Sequence, residues 1–394
     1  MPEHWEASVG KTAANIDTPA LVIDLDAMER NLERMATFAR NKSIKLRPHA
    51  KMHKSAVIAR LQMSAGAVGV CVQKTEEAEA LAAAGVTDIY ISNEVVAPAK
   101  LARVAALSER MAAAGGCLSI AVDSAIGVDN LEQAMRDRPV DAKPRALPHK
   151  IDVLVEIDVG AGRCGVAPGE VAVELASRVV RCTGLRFAGL QAYNGKAQHA
   201  RSRAERQNAI AQVEQAVRST VNLLRAAAID VPLVTGAGTG CFGYESASGA
   251  YGELQVGSYL FMDADYARNE IDPEYPSFEH ALLVKTQVMS VSRNHVVCDA
   301  GHKSHAIDSG MPKILGHTEL EYKVGGDEHG IIIGRDASSR LPMMGETLWL
   351  VPGHCDPTVN LHDYMIGVRG PLATAPGSAR IERIIAVDAR GALR

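Results

Sequence analysis

Aromatic side chains are scarce, at 4% of the 394 residues with two tryptophans among them. An all-β sandwich draws much of its core from such residues, so their scarcity beside abundant alanine favours small-sided helices packed closely round a sheet. The chain has no run of basic residues, and 42 Lys+Arg against 46 Asp+Glu leave a formal net charge of -4. That balance gives no electrostatic footprint for nucleic acid or an anionic membrane. No apolar stretch reaches the roughly 18 residues of a spanning helix, and MPEHWEASVGKTAANIDTP lacks the basic-then-apolar order of a secretory leader. The seven cysteines (Cys71, Cys117, Cys164, Cys182, Cys241, Cys298, Cys355) are odd in number, scattered and never paired as CxxC. They read as reduced, which points to the cytoplasm. Internal repeats and low-complexity tracts are also missing.

What is present is an alternation. From Ala20, short β-branched or apolar runs (ALVIDL, SIKLRPH, VGVCVQ, DIYISNE, CLSIAVD, IDVLVEID, LRFAGLQAY, DVPLVTGAG) are separated by alanine-rich helical patterns. This is the signature of parallel strands joined by crossover helices, and eight or nine such units fit a (β/α)8 TIM barrel of about 250 residues. In the first unit Ala20 to Leu25 reads as the strand, Asp26 as the helix cap, and Met28, Leu32, Met35 and Phe38 recur at helical spacing. After Tyr251 strand-like runs such as ELQVGSYLFMDAD, HALLVKTQVMSVS, HVVCDAG, ETLWLVPG and IERIIAVD follow one another with little helical periodicity. The expectation is a barrel over residues 18–270 and a C-terminal β domain over 271–394, joined by residues 1–17.

In a barrel the reactive groups sit where strands end. The second run delivers Arg47, His49 and Lys51. Lysine is more often a solvated surface residue, but one facing the barrel mouth beside histidine and arginine has the lowered pKa that a Schiff-base amine needs. The run DVPLVTGAGTG ends in Gly236, Gly238, Thr239 and Gly240, whose N–H groups could converge on a phosphate, with Gly257 and Ser258 in QVGSY closing the site. A plain turn is the competing reading. Lysine and phosphate cradle in one mouth suggest pyridoxal phosphate. Arg163 and Tyr193 also follow strand ends, placed to reach or stack on such a cofactor. In PGHCDPTVNLHD, His354 and Asp356 lie two apart and point the same way if the segment is extended. They would form an incomplete site for a divalent cation with open positions, although lone His-x-Asp pairs are also common on surfaces.

Taken in order, RPHAKMHKS, VGVCVQKTEEAEA, VEIDVGAGRCGV, LQAYNGKAQH, TGAGTG, ELQVGSYLFMDADY, VVCDAGHKS, DEHG and VPGHCDPTVNLHD resemble the D-threonine aldolase group of fold-type III pyridoxal-phosphate enzymes. The resemblance runs from about Thr18 to the C-terminal strands. It implies an alanine-racemase-like barrel with a C-terminal β domain, a homodimer, and pyridoxal phosphate on Lys51. It further implies cofactor contacts from Gln73, Arg163, Tyr193, Thr239, Gly257 and Ser258, and a divalent cation, Mn2+ or else Mg2+ or Co2+, on His354 and Asp356.

The implied reaction is retro-aldol cleavage of D-3-hydroxy-α-amino acids of the D-threonine, D-allo-threonine or D-phenylserine type to glycine and an aldehyde. The base is either water activated at the cation or a histidine such as His199. HAKMHKS, SHAIDSG and GHCDPTVNLHDYMIGVRG resemble the 3-hydroxy-D-aspartate aldolases, which makes glycine and glyoxylate the alternative products. Related dehydratases of D-serine or 3-hydroxyaspartate place a cysteine where this chain has Asp356. A non-catalytic pyridoxal-phosphate carrier is the remaining alternative; such carriers are typically the barrel alone.

Overall fold

The computed structural model describes residues 6–137, 149–372, 375 and 377–394. The first strand is β1 (Ala20–Asp24). Eight short strands then follow: β2 (Lys45–Leu46), β3 (Val70–Val72), β4 (Asp88–Glu94), β5 (Cys117–Val122), β6 (Ile151–Glu156), β7 (Leu185–Ala192), β8 (Val234–Gly236) and β9 (Glu253–Leu254). These eight form one parallel sheet in the order β2-β9-β8-β7-β6-β5-β4-β3. A bridge from His49 to Cys71 joins the two ends and closes the cylinder. Alanine explains how the helices come so near: Ala59, Ala78, Ala105, Ala172 and Ala176 are wholly buried against Val70, Ile89 and Val153. A side chain no larger than a methyl group lets a helix approach the strands closely while still burying apolar surface.

The second sheet is built from β10 (Leu282–Val291), β11 (Val296–Cys298), β12 (Lys313–Ile314), β13 (Leu320–Val324), β14 (Gly330–Gly334), β15 (Thr347–Val351), β16 (Tyr364–Arg369) and β17 (Arg380–Ala386), with β1 at its centre. β1 runs antiparallel to β10 and parallel to β16. The first strand expected in the barrel therefore belongs to the β domain, and the barrel starts at β2 and ends with β9. The reason is physical. Residues Ala20–Ile23 are buried on both faces, and a strand without a polar face carries no sequence signal for which sheet it enters.

The segment before β1 edges the same sheet, with the Gly10 N–H donating to the Ile381 carbonyl at 2.9 Å and Lys285 Nζ donating to the carbonyls of Ala13, Ala14 and Ile16. The helix Leu25–Lys42 then carries the chain to the barrel. Its cap is Asp24, which accepts from the Ala27 N–H at 3.0 Å. Asp26, expected in that role, lies in the first turn and pairs with Arg369 at 2.8 Å. All seven cysteines are free thiols. Among the described residues no helix is long and apolar enough to cross a membrane.

Candidate active site

Ten of the residues expected from the sequence line one hollow at the barrel mouth, namely Lys51, Gln73, Arg163, Tyr193, His199, Thr239, Gly257, Ser258, His354 and Asp356, while Arg47, Gly236 and Gly240 do not. The hollow encloses about 930 Å³, solvent at its open side included. The barrel supplies most of the lining, and the β domain brings His354 and Asp356 across its top.

Lys51 leaves β2 two residues after His49. Arg47 does not accompany it; its guanidinium turns into the barrel wall to pair with Asp88 and Glu253. His49 is buried and faces Gln73 Nε2 at 3.0 Å and Ser92 Oγ at 3.2 Å. Burial, then the charges of Lys51 and Arg163, hold its pKa well below the usual imidazole range. His49 is thus a neutral wall behind the lysine. Lys51 Nζ stands 3.5 Å from Asp356 Oδ2. Burial pulls the Lys51 pKa down, but the Asp356 carboxylate and the Tyr193 phenol outweigh it, and the net direction is upward. The lowered pKa expected from the strand-end position is therefore not what the structure gives. Its cause, a carboxylate from the other domain, lay outside the local sequence.

The glycine-rich loop also differs in detail. The Gly238 N–H donates to Glu245 Oε2 at 3.3 Å and the Gly240 N–H to Gln198 Oε1 at 3.0 Å, so these two brace the loop and do not face a ligand. The N–H groups of Thr239, Gly257 and Ser258 have no backbone acceptor among the described residues. Thr239 Oγ1 accepts from the Tyr259 N–H at 2.9 Å, which leaves its own proton free to donate. Beneath the loop, burial pushes the Glu245 carboxyl up to about 8, so it is uncharged at neutral pH and does not repel an anion. These donors fit a phosphate group. Arg163 has no carboxylate within ion-pair distance among the described residues, and its guanidinium stands 5.7 Å over the Tyr193 ring. It is available to an acceptor on a bound cofactor.

Gly257 is where the backbone of this cradle passes closest to the lysine turn. A Cβ there would meet the Cβ and the carbonyl oxygen of His49, each at 3.1 Å. Gly257→Val should therefore push the His49–Lys51 turn aside. The expected result is at least a tenfold weaker retention of pyridoxal phosphate, read by titrating cofactor into stripped protein, with the far-ultraviolet spectrum unchanged.

His354 and Asp356 converge, though not along a pleated strand. His354 is extended (φ -149, ψ 125) and caps a short helix, Cys355–Val359, whose first turn carries Asp356. His354 Nε2 lies 3.9 Å from Asp356 Oδ1. That oxygen is buried and has no hydrogen-bond partner, an expensive arrangement unless a cation completes it. The other ring nitrogen, Nδ1, is 2.7 Å from Asp308 Oδ2. Asp356 and Asp308 raise the His354 pKa against the downward pull of its burial. Between His354 and Asp356, Cys355 turns inward, its N–H donating to Asp263 Oδ2 at 3.2 Å. Asp263, pushed up to about 6 by burial, thereby ties the barrel's last loop to the pair. An imidazole and a carboxylate oxygen with no other partner fit a divalent cation.

His199 Nδ1 is 2.6 Å from Asp265 Oδ2, and its ring lies over Tyr266 with centroids 5.1 Å apart. Burial would raise Asp265, but hydrogen bonds from Arg268, Arg201 and His199 hold it at about 2. In the tautomer whose Nδ1–H donates to that carboxylate, Nε2 is the accepting nitrogen. Sequence reasoning missed Asp265 and Asp308, whose motifs FMDADY and SHAIDSG are quoted above without a role for them. It also missed Gln191 and Gln255, bonded to each other at 2.7 Å in the floor of the hollow. A glutamine in a strand, like Gln191, or just past a strand end, like Gln255, carries no signal that it faces a cavity.

The alanine racemase N-terminal domain model matches residues 23–265, and the putative serine dehydratase domain model matches residues 281–368. The chain is 43% identical to the D-threonine aldolase of Arthrobacter sp over 386 residues, covering 98% of this chain and 96% of that protein. It is 40% identical to the 3-hydroxy-D-aspartate aldolase of Paracoccus denitrificans (strain Pd 1222) over 394 residues, covering 97% of this chain and 94% of that one. The crystal structure of D-threonine aldolase from Filomicrobium marinum superposes with a TM-score of 0.90 at 45% identity, covering 98% of both chains.

Proposed function

This chain belongs to the alanine-racemase-like family that includes the D-threonine and 3-hydroxy-D-aspartate aldolases, and from that premise we propose that it is a carbon–carbon lyase cleaving D-3-hydroxy-α-amino acids to glycine and an aldehyde. The observation that carries the reading is the contact between domains. Lys51 Nζ lies 3.5 Å from Asp356, whose unpartnered oxygen faces His354. An amine for the substrate's α-carbon end and a cation site for its β-hydroxyl are side by side, which is what breaking the bond between those carbons requires.

Pyridoxal phosphate, when bound, supplies the electron sink into which the Cα–Cβ bonding pair flows. A divalent cation on His354 and Asp356 would supply positive charge to the β-hydroxyl oxygen as it becomes an alkoxide. The chain's own residues do the rest. Lys51 would hold the cofactor through its Nζ. The Thr239 hydroxyl and the N–H groups of Thr239, Gly257 and Ser258 would take its phosphate, while Gln73, Arg163 and Tyr193 would orient its ring. His199 Nε2 accepts the β-hydroxyl proton, and Asp265 steadies the imidazolium that results, as a carboxylate does behind a general base. Because Asp265 sits at about 2, it stays charged at any pH above about 4. The resemblance also supports a homodimer and manganese as the metal, checked by gel filtration and metal analysis.

Incubation with D-threonine and with D-3-hydroxyaspartate, with and without Mn2+, tests the activity. Glycine with acetaldehyde or with glyoxylate supports it and ranks the two substrates. Ammonia and a keto acid as main products would place the chain with the dehydratases, and no turnover at all would leave a carrier. Asp308 gives a further check. By accepting from His354 Nδ1 it presents Nε2 toward Asp356, and a carboxylate behind a ligating imidazole typically contributes about 10–100-fold in metal affinity. Asp308→Ala should weaken Mn2+ binding by roughly that factor, measured calorimetrically, without altering cofactor absorbance.

A further inference from the structure

A second group of ligating side chains lies at the strand ends, outside the hollow. Glu94 ends β4, Asp123 follows β5, Glu156 ends β6, and Cys164 lies in the loop leaving β6. Ligand atoms of Glu94, Asp123 and Cys164 are within 4.8 Å of one another. None of the four residues lines the active-site hollow.

Their environment is unusual for three carboxyl groups. With all the groups ionised, neither Glu94 oxygen nor Glu156 Oε2 meets a donor, and Glu156 is 3% exposed; when protonated, the Glu156 carboxyl and the Cys164 thiol each bond to Glu94. Asp123 Oδ2 accepts one N–H, from Gly165 at 3.1 Å. Among the described residues no lysine, arginine or histidine forms an ion pair with any of them. Packing like charges together away from water is costly without a compensating cation or protons. Burial, followed by the charge of Glu94, pushes the Glu156 carboxyl up to about 9, and burial with Glu94 pushes the Cys164 thiol up to about 11.

We propose that Glu94, Asp123, Glu156 and Cys164 form a second divalent-cation site, distinct from the His354–Asp356 pair. The buried, unpartnered Glu156 oxygen and the mutual reach of the other three point to an ion at their centre. Carboxylate oxygens joined by a thiolate suit a borderline ion such as zinc or cobalt, and disfavour magnesium or calcium. On binding, the ion displaces the protons of Glu156 and Cys164 to solvent. It also pins the loop one residue from Arg163.

Cobalt titration of the chelator-stripped full chain tests this. The expected result is two equivalents per chain and a near-ultraviolet sulfur-to-cobalt band that appears with one of them. Cys164→Ser should lose that band and one equivalent, while His354→Ala should lose the other equivalent and keep the band. As a check on the unaltered protein, cobalt should slow alkylation of Cys164 at least tenfold, followed by peptide mass. A single equivalent with no band, a band that survives in Cys164→Ser, or alkylation indifferent to cobalt would overturn the proposal and leave carboxyl groups that share protons.

Discussion

Lys51→Ala is expected to abolish both the visible absorbance of lysine-bound cofactor and the release of glycine, with turnover falling by roughly four orders of magnitude or more. Lys51 is the one lysine that lines the hollow among the described residues. Its neighbours cannot replace it. Lys54 is buried with Nζ held by Asn360 Oδ1 at 2.9 Å and Glu77 Oε1 at 3.2 Å, and Lys74 is the cap residue of the next helix. Borohydride reduction followed by peptide mapping locates the attachment directly. Cofactor fixed on Lys54 or Lys74, or a visible band that persists in Lys51→Ala, would show the assignment to be wrong.

The second large effect concerns the cation. Treatment with a chelator, or Asp356→Ala, should stop cleavage while the visible absorbance of the cofactor remains. The pair proposed for the metal comes from the β domain, and the contacts proposed for the cofactor's phosphate and ring come from the barrel. Manganese, magnesium or cobalt should restore the chelated protein but not the variant. A charge that meets the β-hydroxyl chiefly as its proton leaves acts in the transition state, so the loss should fall on kcat, by about a hundredfold or more, with KM little changed. Asp356→Cys refines the test: replacing a hard oxygen by a softer thiolate should depress glycine formation and shift the preferred ion toward zinc. Full activity in exhaustively metal-free protein would sink the metal's role.

Much of the barrel was legible because a buried parallel strand and an alanine-rich helix leave different periodicities, and the runs DIYISNE, CLSIAVD and IDVLVEID coincide with β4, β5 and β6 to within two residues. Strand ends could then be searched for reactive groups, and this search reached Lys51, Arg163, Tyr193 and Thr239, which all line the hollow. The failures share a cause. ALVIDL was assigned to the barrel because it precedes a helix, yet it sits at the centre of the other sheet. The glycines of TGAGTG were read as phosphate donors, yet Gln198 and Glu245 claim two of their N–H groups. The His354–Asp356 pair was derived from an extended geometry, and a short helix brings it together instead.

By itself the sequence determined the alternation of strands and helices, the point where helical periodicity gives out, and which strand ends carry candidate reactive groups. Those properties depend on near neighbours, because burial of one face repeats every two or 3.6 residues. Tertiary structure alone decided which sheet β1 enters, that Arg47 turns to the barrel wall while His49 backs the lysine, and that Asp356 of one domain meets Lys51 of the other. It also set the direction of the lysine's pKa, since the charge that raises it arrives from the far end of the chain. Electrostatic and hydrogen-bond partners act through space at a few ångströms, and a linear pattern holds no record of which distant residues closure of the fold brings that near.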